Sequence, residues 1–189
     1  GQCGACSVIL DGKVVRSCAT KMKRVDDGAS VTTIEGIGSP EALHPIQVAW
    51  MNYGGVQCGF CTPGFIVSTY ALLHENPNPT REDVRDWFQK HRNVCRCTGY
   101  VQIVDAVMAA ARVMRGEATL EDISFQNPKD GEYYGKPVVR PLALAKVCGM
   151  HDYGDDQILK MPDGTLHAAI VQPRIAHHAK ILKIDTLEA

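Results

Sequence analysis

Apolar and polar positions follow two rhythms along this chain, and the change of rhythm divides it. Residues 7 to 18, SVILDGKVVRSC, read as a β-hairpin: SVIL is apolar, Asp11-Gly12 is a turn signal, and KVVRSC returns. VDDGASVTTIEG continues in β and turn style, with Asp27-Gly28 before a β-branched run. From residue 39 the period becomes helical and predicts four helices. The first runs from about Pro45, proline in a first turn, through Trp50 to Tyr53, and Gly54-Gly55 ends it. The second takes Thr62 as N-cap and Pro63 at its first helical position. Phe65, Ile66, Thr69, Leu72 and Leu73 form its apolar stripe, and Asn76-Pro77 stops it. The third begins at Thr80, has Glu82 and Asp83 in its first turn, and carries Val84, Trp87, Phe88 and His91 on one face. The fourth follows Thr98-Gly99, is lined by Ile103, Val104, Val107, Met108 and Ala111, and closes at Gly116. Amphipathic helices with short connections make a four-helix bundle. The aromatic and methionine stripes read as core, and His91 as a packed or capping residue.

Residues 117 to 140 carry Gly, Pro, Asn and charge with weak periodicity, the composition of a surface linker. Beyond it, LHAAIV and AKILKI read as strands, and Asp185 or Thr186 as the N-cap of a starting helix. Two strands and a helix start cannot bury a core alone. The chain also opens inside a cysteine loop, without a methionine. Both ends are therefore expected to be cut from a longer polypeptide.

A length of 189 residues suits one or two domains. The net charge is −1, with basic residues spread among acidic ones, so the footprint of a nucleic-acid binder is missing. No run reaches the roughly 18 apolar residues of a membrane helix. The best stretch, Ile103 to Met114, is interrupted by Asp105 and Arg112.

Eight cysteines change the picture. Cys58-x2-Cys61 and Cys95-x-Cys97 place thiols poorly for mutual bridging but well for one metal centre, which favours metal ligation over disulfides. This set offers four thiolates. Each pair precedes a helix, whose N-terminus favours thiolate, so the pairs are expected to meet at one end of the bundle. The other set, Cys3-x2-Cys6-x11-Cys18, offers three. Plant-type [2Fe–2S] sites use C-x4-C-x2-C and a distant cysteine, so the missing ligand would lie just upstream of Gly1. Gly4 and Ala5 let backbone N–H groups approach sulfur. Zinc remains an alternative at both sets, where it would hold the fold without redox work. Cys148 stands alone and reads as a small buried hydrophobe. His177-His178 would point to opposite faces of a strand, a poor metal pair.

GQCGACSVILDGKVVRSC resembles the plant-type ferredoxin domain of the molybdenum hydroxylases, the xanthine dehydrogenase and aldehyde oxidoreductase family. QCGFCTPGF followed by NVCRCTGY resembles that family's second iron–sulfur domain, and KVCGMHDYGDD…LHAAIVQPRIAHHAKILKIDTLEA the opening of its molybdopterin domain. The resemblance covers essentially the whole chain. It implies an α+β multidomain fragment: a partial β-grasp ferredoxin domain (1–36), a four-helix [2Fe–2S] domain (39–116), a linker (117–140) and the first strands of a molybdopterin-binding domain (141–189). No flavin domain intervenes, as in the flavin-free bacterial aldehyde oxidoreductases.

The resemblance further implies that Cys58, Cys61, Cys95 and Cys97 hold the [2Fe–2S] cluster nearer the molybdenum. Cys3, Cys6 and Cys18 would hold the outer one. Gln57 and Cys97 would touch the pterin of a molybdopterin cytosine dinucleotide. Relatives usually have threonine or a similar small residue where this chain has Cys148. The implied whole is a cytoplasmic homodimer that oxidises aldehydes to carboxylates with water. Its electrons would pass through both clusters to a flavodoxin or ferredoxin. The catalytic base and substrate channel would lie beyond Ala189, so the chain alone is expected not to oxidise aldehydes. Other members, acting on xanthine, N-heterocycles or carbon monoxide, remain the alternative within the family.

Overall fold

The computed structural model describes residues 1–126, 128–172, 176–185 and 187. They fall into two compact units, Gly1–His151 and Asp152–Ala189.

The first unit opens with the expected hairpin. Strands β1 (Ser7–Leu10) and β2 (Lys13–Arg16) pair antiparallel with Leu10 opposite Lys13. Asp11 and Gly12 turn the chain with φ of 47° and 78°, the positive pair a primed two-residue turn requires. The β-branched run after Gly28 supplies β3 (Val31–Thr32), which pairs with the other edge of β1 and makes a sheet of order β2-β1-β3.

Four longer helices follow: α1 (Pro45–Asn52), α2 (Thr62–Glu75), α3 (Arg81–His91) and α4 (Val101–Met114). α1 packs on α4, and α2 lies between the sheet and α3. Trp50, Phe65, Ile66, Leu73, Ile103 and Val107 fill the core. Phe65 and Phe88 meet edge-on at 4.8 Å, and Trp87 donates its indole N–H to Ser68. The third helix starts as its sequence dictates: Thr80 and Asp83 cap each other's backbone N–H groups. The second starts one residue earlier than expected. Cys61 takes the N-cap position, without a side-chain cap, and Thr62 is already helical and buried.

The stretch after α4 is more than a surface crossing. Ile123 is buried, and the Phe125 N–H donates to the Asn52 side chain. A short helix, α5 (Ala143–Val147), then packs on α1 and α2. Its anchors are the buried Ala143 and Val147 and a hydrogen bond from the Gln47 amide to the Val147 carbonyl at 3.1 Å. Weak periodicity conceals this helix, because one turn and a half offers only those two core positions.

The second unit contains α6 (Gly154–Ile158). Residues 166–171 and 179–184, expected as strands, run without helix or strand. Leu166, Ile170, Val171 and Leu182 are exposed there. An apolar run becomes a strand only against a partner that covers its face, and the described residues of this unit supply none. Asp185 accepts from the Leu187 N–H in a local turn. Thr186, the other residue expected to open a helix, lies outside the described residues.

Candidate metal centre

The Gly-Gly turn after α1 leads through the buried Val56 into the loop Gln57–Cys61, which runs straight into α2. The αL turn at Arg92 and the buried Asn93 lead in the same way into Cys95–Cys97, just before α4. Both cysteine pairs therefore sit where a helix begins, at one end of the bundle. The structure brings all four thiols together, two by two. Cys61 and Cys95 lie within hydrogen-bonding reach of each other, as do Cys58 and Cys97. The first pair is buried and the second exposed.

Their electrostatics differ accordingly. Burial pushes the Cys61 thiol far up, and the neighbouring Cys95 and Cys58 add to it. Cys95 is also desolvated, yet its thiol is held below the ordinary value. The Thr98 hydroxyl donates to its sulfur at 3.3 Å, and the Thr98 and Cys97 N–H groups do so at 3.4 Å each. Cys97 is raised, chiefly by its hydrogen bond with Cys58. A sulfur surrounded by three donors is already arranged as a thiolate ligand. The Tyr100 hydroxyl accepts from the Cys95 N–H at 3.0 Å and braces the loop.

This donor set fits a [2Fe–2S] cluster. Such a centre takes four thiolates, two on each iron, and is tuned by hydrogen bonds to sulfur. Among the described residues, no three His, Cys, Asp or Glu side chains converge at the spacing of a single metal ion.

The second cysteine set lies on the sheet side. The Cys6 thiol is lowered although desolvation opposes it, because the Cys18 backbone and thiol and the Ser17 side chain hydrogen-bond to it. Cys18 also accepts from the Gly1 ammonium at 2.9 Å. Cys3 takes part through its backbone: its carbonyl accepts from the Val94 N–H at 3.0 Å, beside Cys95. The two loops are thus in direct contact. Asn93, buried, aims its amide at the carbonyls of Gly4 (3.3 Å) and Gly64 (3.4 Å). Gly64 must be glycine, since a Cβ there would meet the Gly4 carbonyl oxygen at 2.2 Å.

Gln57 is engaged through its carbonyl, which accepts from the Lys146 ammonium at 2.9 Å. Cys148 is buried at the end of α5, 3.9 Å from the Gln47 amide, and Glu41 adds to the burial that raises its thiol. Sequence reasoning missed Thr98, Asn93 and Lys146 as members of this region. Only Thr98, three residues after Cys95, carried a local signal.

Residues 33–108 match the model of the [2Fe-2S] binding domain family. All of this chain aligns at 64% identity with the aldehyde oxidoreductase of Megalodesulfovibrio gigas, of which it spans 21%. The small FeS subunit of the nicotinate dehydrogenase of Eubacterium barkeri is 40% identical over 110 residues, 58% of this chain and 68% of that protein. Among solved structures, the aldehyde oxidoreductase from Desulfovibrio gigas superposes with a TM-score of 0.82 at 66% identity, covering 91% of this chain and 19% of that one. Two cysteine loops braced against each other, a matching [2Fe-2S] domain, and a small FeS relative covered over most of its length point the same way. The chain belongs to the molybdenum hydroxylase family and forms its [2Fe–2S] iron–sulfur portion.

Proposed function

We propose that this chain is the electron-transfer portion of a molybdenum-dependent aldehyde oxidoreductase. The observation that carries the choice of aldehyde is the extent of the match. The aldehyde oxidoreductase aligns over the entire chain, including the residues after α4, whereas the nicotinate dehydrogenase relative matches 58% of it.

In this reading Cys58, Cys61, Cys95 and Cys97 hold an inner [2Fe–2S] cluster. Cys3, Cys6 and Cys18 supply three thiolates of an outer one, whose fourth ligand the spacing assigns upstream of Gly1. Bound there, the clusters supply one-electron transfer. The protein's part is to fix the sulfurs, donate hydrogen bonds to them and hold the two loops in contact through Asn93. Gln57 and Cys97 face a molybdopterin, in the cytosine dinucleotide form, that residues outside this chain largely hold. An aldehyde and water are the substrates of the whole enzyme, a homodimer, and a flavodoxin or ferredoxin is the acceptor.

Metal and acid-labile sulfide analysis, with EPR after dithionite reduction and spins counted, tests the reading. Iron and sulfide in equal amounts are expected. About one spin per chain would place the cluster at the four-thiolate set alone, and about two at both sets. Zinc without sulfide, in protein matured where iron–sulfur assembly is available, would overturn the reading and leave a structural module.

A further inference from the structure

We propose that Lys146 is a positioning residue for the Gln57–Cys61 loop, and that its charge raises the reduction potential of the inner cluster. The proposal rests on the reading of the four thiolates given above.

Lys146 arrives from α5, far along the chain, yet lies on the loop. Its ammonium donates to the Gln57 carbonyl at 2.9 Å. Its stem crosses Gly59, where a Cβ would meet the lysine Cγ and Cδ at 2.6 Å each. Gly59 also has φ +89°, so the loop bends in a way that leaves room for this one side chain. Lysines on a surface normally sweep through many rotamers. This one is pinned at both ends. Its backbone is fixed by the buried Val147 and Ala143 and by the Gln47 hydrogen bond to the Val147 carbonyl. Gly149 then packs the following turn against Ile34.

The charge is also left uncancelled. Among the described residues, no carboxylate forms an ion pair with Lys146. Its loop carries Cys58 and Cys61, whose thiols reach Cys97 and Cys95; as ligands these four sulfurs are anionic, and reduction adds one more negative charge to them. A fixed, half-buried cation at that loop favours the reduced state, and solvent screens it less than it would a free surface charge. The hydrogen bond fixes the backbone from which the Gln57 side chain projects. The residues beyond the linker thus set both the position and the electron affinity of the inner centre.

The test is an EPR-monitored redox titration of the intact protein with its clusters assembled. Lys146→Met, Lys146→Gln and Lys146→Arg are compared with the parent protein, and Cys18→Ser identifies the outer signal so that it serves as internal control. The expected result is a lower inner-cluster potential in Lys146→Met and Lys146→Gln. The reduced-to-oxidised ratio at fixed potential should fall about tenfold, or about 59 mV for one electron. The outer signal should stay put and Lys146→Arg should remain near the parent. An unmoved inner potential in both neutral variants overturns the proposal. So does an equal fall in Lys146→Arg, which would remove charge as the cause. If Lys146→Met fails to hold its cluster, Lys146→Gln, which keeps a donor, decides alone. Absence of an inner signal from the parent protein would instead sink the reading of the four thiolates.

Discussion

Thr98 shows how one side chain prepares a sulfur for a metal. Its hydroxyl and N–H both point at Cys95, and they offset the burial that would otherwise keep that thiol protonated. Thr98→Val keeps the shape and removes the hydroxyl. With a lost hydrogen bond worth about 1 kcal/mol, the inner-cluster potential should drop on the order of 40 mV, while Thr98→Ser should hold it. A potential in Thr98→Val equal to that of the parent would show that the hydroxyl does not tune the sulfur. The cysteines themselves were legible in the sequence because short spacings announce shared ligation. Thr98 was legible only as a helix-start residue. Lys146 was not legible, since it reaches its loop from a distant part of the chain, and Asn93, though beside Cys95, gave no sign of its bond to Gly4, 89 positions away.

Among the elements, α1 carries a titratable cap. His44 precedes Pro45, and its Nδ1 accepts from the Ile46 N–H at 3.2 Å, which only a neutral ring nitrogen can do. Burial lowers the His44 value below 6.5, and the nearby His74 lowers it further. The unfolded chain therefore takes up the proton first as pH falls, so stability is lost as pH drops through about 6.5 toward the folded value. His91 is shifted the same way, by burial and then by Lys90 and Arg16. Melting temperature should decline between about pH 7.5 and 5.5. His44→Asn, which keeps a cap acceptor, should give a shallower decline. An unchanged slope in that variant would mean His44 contributes nothing to it. The longer helices were readable because their stripes repeat over several turns and Pro, Thr and Gly punctuate them. The cap at α2 was misplaced by one residue because Thr62 is a good capping residue whose hydroxyl the fold buries instead. The expected strands at 166–171 and 179–184 failed because a short, mostly apolar run states what it needs to bury against and not whether the partner is present.

For the molecule as a whole, the decisive joint is where Gly4, Gly64 and Asn93 meet. Gly64→Ala would push a methyl into the carbonyls of Gly4 and Ala5, backbone atoms that cannot swing aside. A loss of about 1–3 kcal/mol is expected in chemical denaturation, toward the upper end. A loss below the lower bound would mean the two loops separate easily. The division into a sheet with one cysteine set and a bundle with another could be read from the chain. That they are clamped together by the Asn93 amide and the Val94 N–H could not, because the clamp depends on backbone carbonyls and on the absence of a Cβ at Gly64, neither of which makes a pattern.

That clamp also imposes a timetable. Within the bundle α2 packs on α3 and α3 on α4, neighbours in sequence, before α1 closes on α4, whereas the bond from Asn93 to Gly4 closes a loop of 89 positions. Closing so long a loop early is entropically costly, and local helices form faster. The amino-terminal cysteine loop is therefore the last piece to lock, after the α2 and α3 ends that receive it are in place. During synthesis its thiols must wait, unprotected, for the carboxyl-terminal half of the bundle to emerge.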